Sequence, residues 1–344
     1  MRKMTDQQRL GLMSYGIYLP RGFETARTIA ARSGLSPQQV TAEWGIEKKI
    51  IPGPQDQPVA MAVKAAQEAL RKAQSMHPDE IDVVIWTGEE YKDYIAQTAS
   101  IRIQEEVGAR RAWAFDLIGQ GVTSLIGLRT AQDLMIGDSS VRTVLLAGGT
   151  RNIDLVDYAD PHTRWMLDAS ASGTAMILRR GYPQNRLLAT VFRVDPEMAD
   201  EVYVPGGGTM IPFTPETVDS PSRFFQVNHP DITESYLSNN LPSRLIEIVR
   251  KTMATPGFPG QSPDYLALRH LRPKERAQIL AALAVREEHS DPLTDIGHHG
   301  PNDVILSLDR ALQRGIAKSG SKVVLAAAGI GFSYAAALIQ WGSV

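Results

Sequence analysis

The sequence predicts a layered α/β fold with a largely parallel sheet, built from two similar halves. Two observations carry this. Short apolar runs alternate with segments of helical period along most of the chain, the pattern of strands joined by crossover helices. A weak internal echo also runs through the 344 residues, a length sufficient for two units that each bury a core.

In chain order, residues 59–73 read as a helix, 81–86 (Ile-Asp-Val-Val-Ile-Trp) as a strand and 98–107 as a helix. Residues 112–117 read as a strand, 122–136 as a helix, and 143–147 and 173–178 as strands. The echo pairs Val144-Leu145-Leu146-Ala147-Gly148-Gly149, followed after a gap by residues 172–178, with residues 323–329, followed directly by 333–339. Each is a buried strand, a small-residue turn and a second apolar strand, and small residues let backbones approach closely. Gly, Pro, Gln and Asn cluster at residues 181–186 and place a boundary there, dividing 1–183 from 184–344. Residues 204–222 are rich in Gly, Pro and Thr and read as a long loop. Its Gly206-Gly207-Gly208 lacks the Lys-Ser/Thr and the strand-to-helix context of a phosphate loop.

Composition narrows the function classes. Charged residues make up 22%, hydrophobic residues 43%, and the formal net charge is -2, the balance of a globular protein. No basic stripe with interleaved aromatics occurs, so nucleic acid is not an expected partner. There is no cysteine, which excludes disulfides, thiolate-bound metal and a thiol nucleophile. Residues 1–12 lack the apolar core of a signal peptide. Residues 323–341 have nearly the length of a membrane span, but Gly329, Gly331, Ser333, Tyr334 and Gln340 interrupt them, and the opening Val-Val-Leu reads as a buried strand. A cytoplasmic protein without membrane contact is expected. His289, Asp291, His298, His299 and Asp303 match no metal-ligand spacing, and no metal or cofactor is expected.

Four stretches carry a resemblance. They are Tyr15-Gly16-Ile17-Tyr18-Leu19-Pro20 with Gly45-Ile46-Glu47-Lys48-Lys49-Ile50; Ala114-Phe115-Asp116-Leu117; Asp168-Ala169-Ser170-Ala171-Ser172-Gly173-Thr174-Ala175; and the Gly-rich segment 328–338. In this order and spacing they resemble the ketoacyl-acyl-carrier-protein synthase III group, the initiating condensing enzymes of the thiolase superfamily. That resemblance implies five layers, α-β-α-β-α, from two duplicated halves, usually as a homodimer. It also implies acyltransferase chemistry of fatty acid or polyketide biosynthesis on an acyl-CoA or acyl-carrier-protein thioester.

In that group a Cys at a helix N-terminus attacks the thioester, and a His and an Asn stabilise the enolate oxygen. Counting from Asp116, the family Cys falls on Gly121, or on Val122 with a slip of one. Neither side chain can attack a carbonyl. Gln120 adjoins the position; in some related ketosynthases a Gln replacing Cys leaves a decarboxylase, and otherwise Gln120 is a polar loop residue. Thr123 and Ser124 are hydroxyls of the first helical turn, and a nucleophile there would need an adjacent base. For the His, strict counting puts Arg269 in the column and His270 one place after it. His298 stands in the Asn column, where it donates as Asn does and also takes a proton near neutrality; Asn302 is the nearest asparagine. The backbone N–H groups of Gly121 and Ile330 match the family's oxyanion donors. Arg269, Arg272, Lys274 and Arg276 are candidates to face a carrier phosphate, whereas Gln39 occupies the column of the nucleotide-stacking Trp. Three functions follow. One is a cysteine-free enzyme that decarboxylates, hydrolyses or transfers an acyl thioester non-covalently, using His270 and His298. Another is a catalytically silent subunit paired with a cysteine-bearing homologue. The third is a ketosynthase with Ser124 or Thr123 as its nucleophile.

Overall fold

The computed structural model describes residues 10–74, 76–255 and 262–343. In the first half, β5 (Trp113–Asp116), β4 (Val83–Trp86), β6 (Thr143–Thr150), β7 (Ser172–Arg180) and β1 (Leu10–Tyr18) lie side by side in that order. In the second, β11 (Tyr265–Leu268), β12 (Lys322–Gly329), β13 (Ser333–Ser343) and β8 (Gln184–Val194) repeat the order of β4, β6, β7 and β1. Strand directions repeat as well: β4–β6 and β11–β12 are parallel, β6–β7 and β12–β13 antiparallel. The two sets meet where Gly11 of β1 pairs with Arg186 of β8. The sheet is therefore mixed rather than largely parallel. Residues 330–332 alone join β12 to β13, and so short a link can join only antiparallel neighbours.

Helices fill both faces. Successive strand residues point to opposite sides, so Val83 and Ile85 of β4 enter one core while Val84 and Trp86 enter another. The central core holds α5 (Thr123–Gly137) and α8 (Asp303–Gln313) between the two strand sets, through Leu125, Leu128, Val304 and Leu308. On the outer face of the first half lie α3 (Pro58–Lys72) and α4 (Ala99–Val107). On the outer face of the second lie α6 (Pro230–Met253) and α7 (Pro273–Ala282). Five layers, α-β-α-β-α, result. Two small pairs, β2 (Gly22–Thr25) with β3 (Lys48–Ile51) and β9 (Val202–Tyr203) with β10 (Gln226–Val227), and the short helices α1 (Ala26–Ser33) and α2 (Pro37–Trp44) lie outside this repeat. The loop after β9 folds back on itself, with the Gly207 N–H donating to Ile211 O.

Glycine on three adjacent strands sets how closely α3 approaches. A Cβ on Gly16, Gly149 or Gly173 would lie 2.0, 1.9 or 2.1 Å from a carbonyl oxygen of residue 65, 58 or 61. We therefore expect Gly173→Ala to destabilise the protein by about 1–3 kcal/mol through overpacking, measured as a lowered denaturant midpoint. Gly137→Ala, whose Cβ would meet nothing within 4 Å, should leave the midpoint unchanged or slightly raised. Equal midpoints for the two variants would contradict this account of α3 packing.

Candidate active site

The loop before α8 is held by its own backbone. Gly297 has φ +82, and a Cβ there would lie 2.5 Å from Ser170 Oγ and 2.6 Å from Asp168 O. With glycine in place, the His298 N–H donates to Asp168 O at 2.8 Å and the Ser170 N–H donates to His298 O at 2.8 Å. Lys49, fully buried, donates to Leu167 O at 2.7 Å and braces the same strip. Burial pulls Lys49 down to about 7, against the raising influence of Glu24 and Asp168.

Asp303, the first residue of α8, gathers two backbone N–H groups and one imidazole. Its Oδ2 accepts from His270 N at 2.8 Å and lies 2.5 Å from His298 Nδ1, and its Oδ1 accepts from His299 N at 2.6 Å. Burial alone would raise its pKa, but the attraction and hydrogen bonds of His298 and His299 outweigh burial and hold the carboxyl well below the usual range. On its other side His298 Nε2 lies 3.1 Å from Arg269 Nη2. A guanidinium only donates, so Nε2 accepts and Nδ1 carries the proton given to Asp303. Arg269 is pinned further, Nε donating to His270 O and Nη1 to Ala328 O, both at 3.1 Å. Three of the five N–H groups of a guanidinium are thereby engaged.

Opposite stands the bend between β5 and α5. Asp116 ends β5 and accepts from Ala99 N, Ser100 N and Lys92 Nζ. Gln120 has φ +53, a left-handed backbone that a residue with a side chain seldom adopts. Thr123 Oγ1 stabilises the bend, donating to Gln120 O at 2.6 Å and accepting from Gly119 N at 3.0 Å. A Cβ on Gly121 would lie 2.7 Å from Ala328 O, so only hydrogen fits there without movement. Counting puts the absent nucleophile at Gly121; the strained position at the apex of the bend is Gln120. Gly121 lies in the opening turn that leads into α5, where N–H groups lack acceptors within the helix.

Gln120, Gly121, Arg269, His298 and Ile330 line one cavity, with Phe225, Leu241 and Phe332 on its apolar wall. Trp165, Asp168 and Arg269 also line a neighbouring hollow, which shares Trp165 and Arg272 with an outer one containing Trp44 and Arg164. The three hollows share linings in series from Arg164 and Arg272 to Arg269, the course a passage to Arg269 would follow. Glu89, which no motif singled out, also lines the inner cavity. It is 3% exposed, and burial pushes its carboxyl up to about 8, Arg269 opposing and Asp303 and Glu90 adding to the rise.

Several expected site residues sit elsewhere. His270 is 1% exposed, and its ring nitrogens lie 2.9 and 3.0 Å from the carbonyls of Pro292 and Trp44, leaving neither for a substrate. Arg269 takes its place because adjacent residues at the end of β11 face opposite ways. Arg269 is correspondingly removed from the phosphate-facing set. Arg276 is removed too: it is buried and bonds Glu287 and Ser290 O. Arg272 at the passage mouth forks onto Glu234 at 2.6 and 2.9 Å, and Lys274 is exposed. Ser124 Oγ donates to Pro301 O, and Asn302 is buried against Ser172 and Thr174. His299 is buried, donates to Ile296 O, and burial lowers it to about 4. Among the described residues no group of three His, Asp or Glu is arranged to hold a metal, and no helix is long and apolar enough to cross a membrane.

Comparison with known proteins places this architecture. The family model described as 3-oxoacyl-[acyl-carrier-protein] synthase III C terminal matches residues 257–341. A β-ketoacyl-[acyl-carrier-protein] synthase III of Chlamydia caviae is 24% identical over 339 residues, covering 97% of both chains. The crystal structure of 3-oxoacyl-(acyl carrier protein) synthase III, FabH, from Pseudomonas aeruginosa superposes with a TM-score of 0.84 at 20% identity, covering 97% of this chain and 98% of that one. A Xanthomonas campestris OleA variant with bound lauric acid and lauroyl-CoA superposes at 0.77 and 16% identity, covering 97% and 99%. On these findings the chain is a ketoacyl-acyl-carrier-protein synthase III-like protein, similar to such synthases along nearly its whole length and without a cysteine.

Proposed function

We propose that the protein is a cysteine-free acyl-thioester enzyme that acts without an acyl-enzyme intermediate, and that its reaction is decarboxylation of a malonyl-type thioester. One observation carries the reading: Arg269, fixed by three acceptors, lines the same cavity as Gly121, the position at which the resemblance puts the absent nucleophile. In this scheme its two remaining N–H groups, the backbone N–H groups of Gly121 and Ile330, and the Gln120 amide, all from residues lining the same cavity, are the donors available to the carbonyl oxygen of a bound thioester. When the bond to the carboxylate breaks, its electron pair moves onto that oxygen and carbon dioxide leaves. Preorganised donors stabilise the enolate more than the ground state. Hydrolysis or transfer to an acceptor is less well served, because Arg269 occupies the lone pair of His298 Nε2 that a general base would use.

The passage past Trp165 and Arg272 supports entry of a long thioester arm from coenzyme A or an acyl carrier protein, in fatty acid or polyketide synthesis in the cytoplasm. The halves 1–183 and 184–344 are its two structural units in this reading, with the cavity between them. A second reading, a silent subunit beside a cysteine-bearing homologue, draws on the edge of the sheet. Trp113 of β5 is 50% exposed and stacks on Phe115, and Tyr94 and Ile95 are 73% and 78% exposed. An apolar sheet edge of this kind suits pairing with a second chain of the same fold, identical or homologous.

Incubating the purified protein with malonyl-CoA should release carbon dioxide and acetyl-CoA, with intact mass showing no adduct. A stable acyl adduct would overturn the non-covalent scheme; absence of turnover together with co-purification of a homologue would favour the silent subunit. Arg269→Gln should lower the rate about 10²–10³-fold, as loss of an oxyanion donor does, and His298→Ala, which removes one of the three acceptors holding Arg269, should lower it by no more than that. Gly121→Cys should gain no acyl-enzyme and lose about 1–3 kcal/mol of stability, because its Cβ displaces Ala328. An acylated Gly121→Cys variant of undiminished stability would contradict the packing at the bend.

A further inference from the structure

The reaction proposed above generates an enolate, and an enolate must be protonated on carbon before the product leaves. The cavity offers few sources. Arg269 does not release a proton near neutrality. The His298 N–H is given to Asp303, and the Gln120 amide is not an acid. The Tyr334 hydroxyl donates to Tyr236 and is pushed far above its ordinary range by burial. Asp168, the other carboxyl on the wall, stands at the junction with the passage, its Oδ2 3.7 Å from His270 Nε2.

Glu89 differs from all of these. It stands just beyond β4, after Thr87 and Gly88, lies against Gly300 so closely that a Cβ there would meet its Oε1 at 2.3 Å, and reaches the cavity from the first half of the chain. Among the described residues its side chain has no hydrogen-bond partner, and Oε2 is buried. A buried carboxyl left unpaired beside a cation is costly unless it serves a ligand. Its neighbours are Arg269 at the end of β11, His298 in the loop before α8, Asp303 opening α8, Glu90 beside it in sequence, and Asp168 across the cavity. Asp303 and Glu90 oppose a negative charge at Glu89, and the Arg269 guanidinium favours it; burial, the largest influence, decides the balance toward the acid.

We infer that Glu89 is the proton donor of this site, delivering its carboxylic proton to the α-carbon of the enolate left by decarboxylation. The inference rests on the decarboxylase reading. In balance, the malonyl thioester loses carbon dioxide, its α-carbon gains the Glu89 proton, and Glu89 carboxylate regains a proton from water through the passage. One proton is consumed per turnover and no other reactant is needed.

The test uses the protein and malonyl-CoA, comparing wild type with Glu89→Gln, which keeps the shape and polarity of the side chain but has no acidic proton. The variant should turn over about 10²–10⁴-fold more slowly, the usual worth of a general acid, with KM unchanged. The wild-type rate should fall as pH rises through about 8, where Glu89 loses its proton, and the variant should lack that limb. A second readout needs no turnover. Between pH 4.5 and about 8 the unfolded chain has released the Glu89 proton while the folded one retains it. The wild type should therefore lose thermal stability relative to Glu89→Gln as pH rises through that window. Equal rates and pH profiles, or a stability difference independent of pH, would overturn the role of Glu89 while leaving the decarboxylase standing. A wild type inert toward malonyl-CoA would sink both.

Discussion

The backbone contact between Gly121 and the Ala328–Gly329 end of β12 is the constraint on which this site depends. A Cβ on Gly329 would lie 2.5 Å from Gly121 N, and one on Gly121 would lie 2.7 Å from Ala328 O. Glycine on both sides lets the bend before α5, from one half, touch the Gly-rich turn of the other. The cavity lies along this seam. The same contact removes any side chain at 121 and leaves the strained apex to Gln120, with φ +53. Backbone N–H groups stay near the cavity while the residue that would carry a nucleophile has no room for one.

A buried carboxylate organises the facing wall. Asp303 collects the backbone of His270 and His299 and the ring of His298 in one place, so the charge taken out of water is paid for by three donors. Arg269 then reads the orientation Asp303 imposes, because His298 can offer Nε2 as an acceptor only when Nδ1 holds the proton. Loss of the carboxylate would release two loops and a tautomer together. A permanent cation, rather than an imidazole with a free lone pair, therefore lines the cavity at this point, and the proposed oxyanion stabilisation draws on it.

Much of the fold was legible. Residues 59–73, 98–107 and 122–136 were read as helices and became α3, α4 and α5 within a few residues, since their periodicity reflects burial on one face. The echo of 144–149 with 323–329 became β6 and β12 in equivalent places. The long helix α6 was not legible, because Pro242 inside it reads as a stop. Leu241, Leu245 and Val249 pack against the sheet and outweigh the lost hydrogen bond. The antiparallel β7 and β13 were also missed as such, since hydrophobic period is the same in either direction.

At the site the division is sharper. The absence of cysteine is read from composition, and only the resemblance to the synthase III group put Gly121 in the column of its Cys and His298 in that of its Asn; the two line one cavity. Which of Arg269 and His270 faces the cavity turns on a single residue of register at the end of β11, and only the packing of that strand decides it. Glu89 shows the limit most plainly. A glutamate after an apolar strand is ordinary in sequence; it becomes distinctive only once folding buries it, unpaired, across from Arg269.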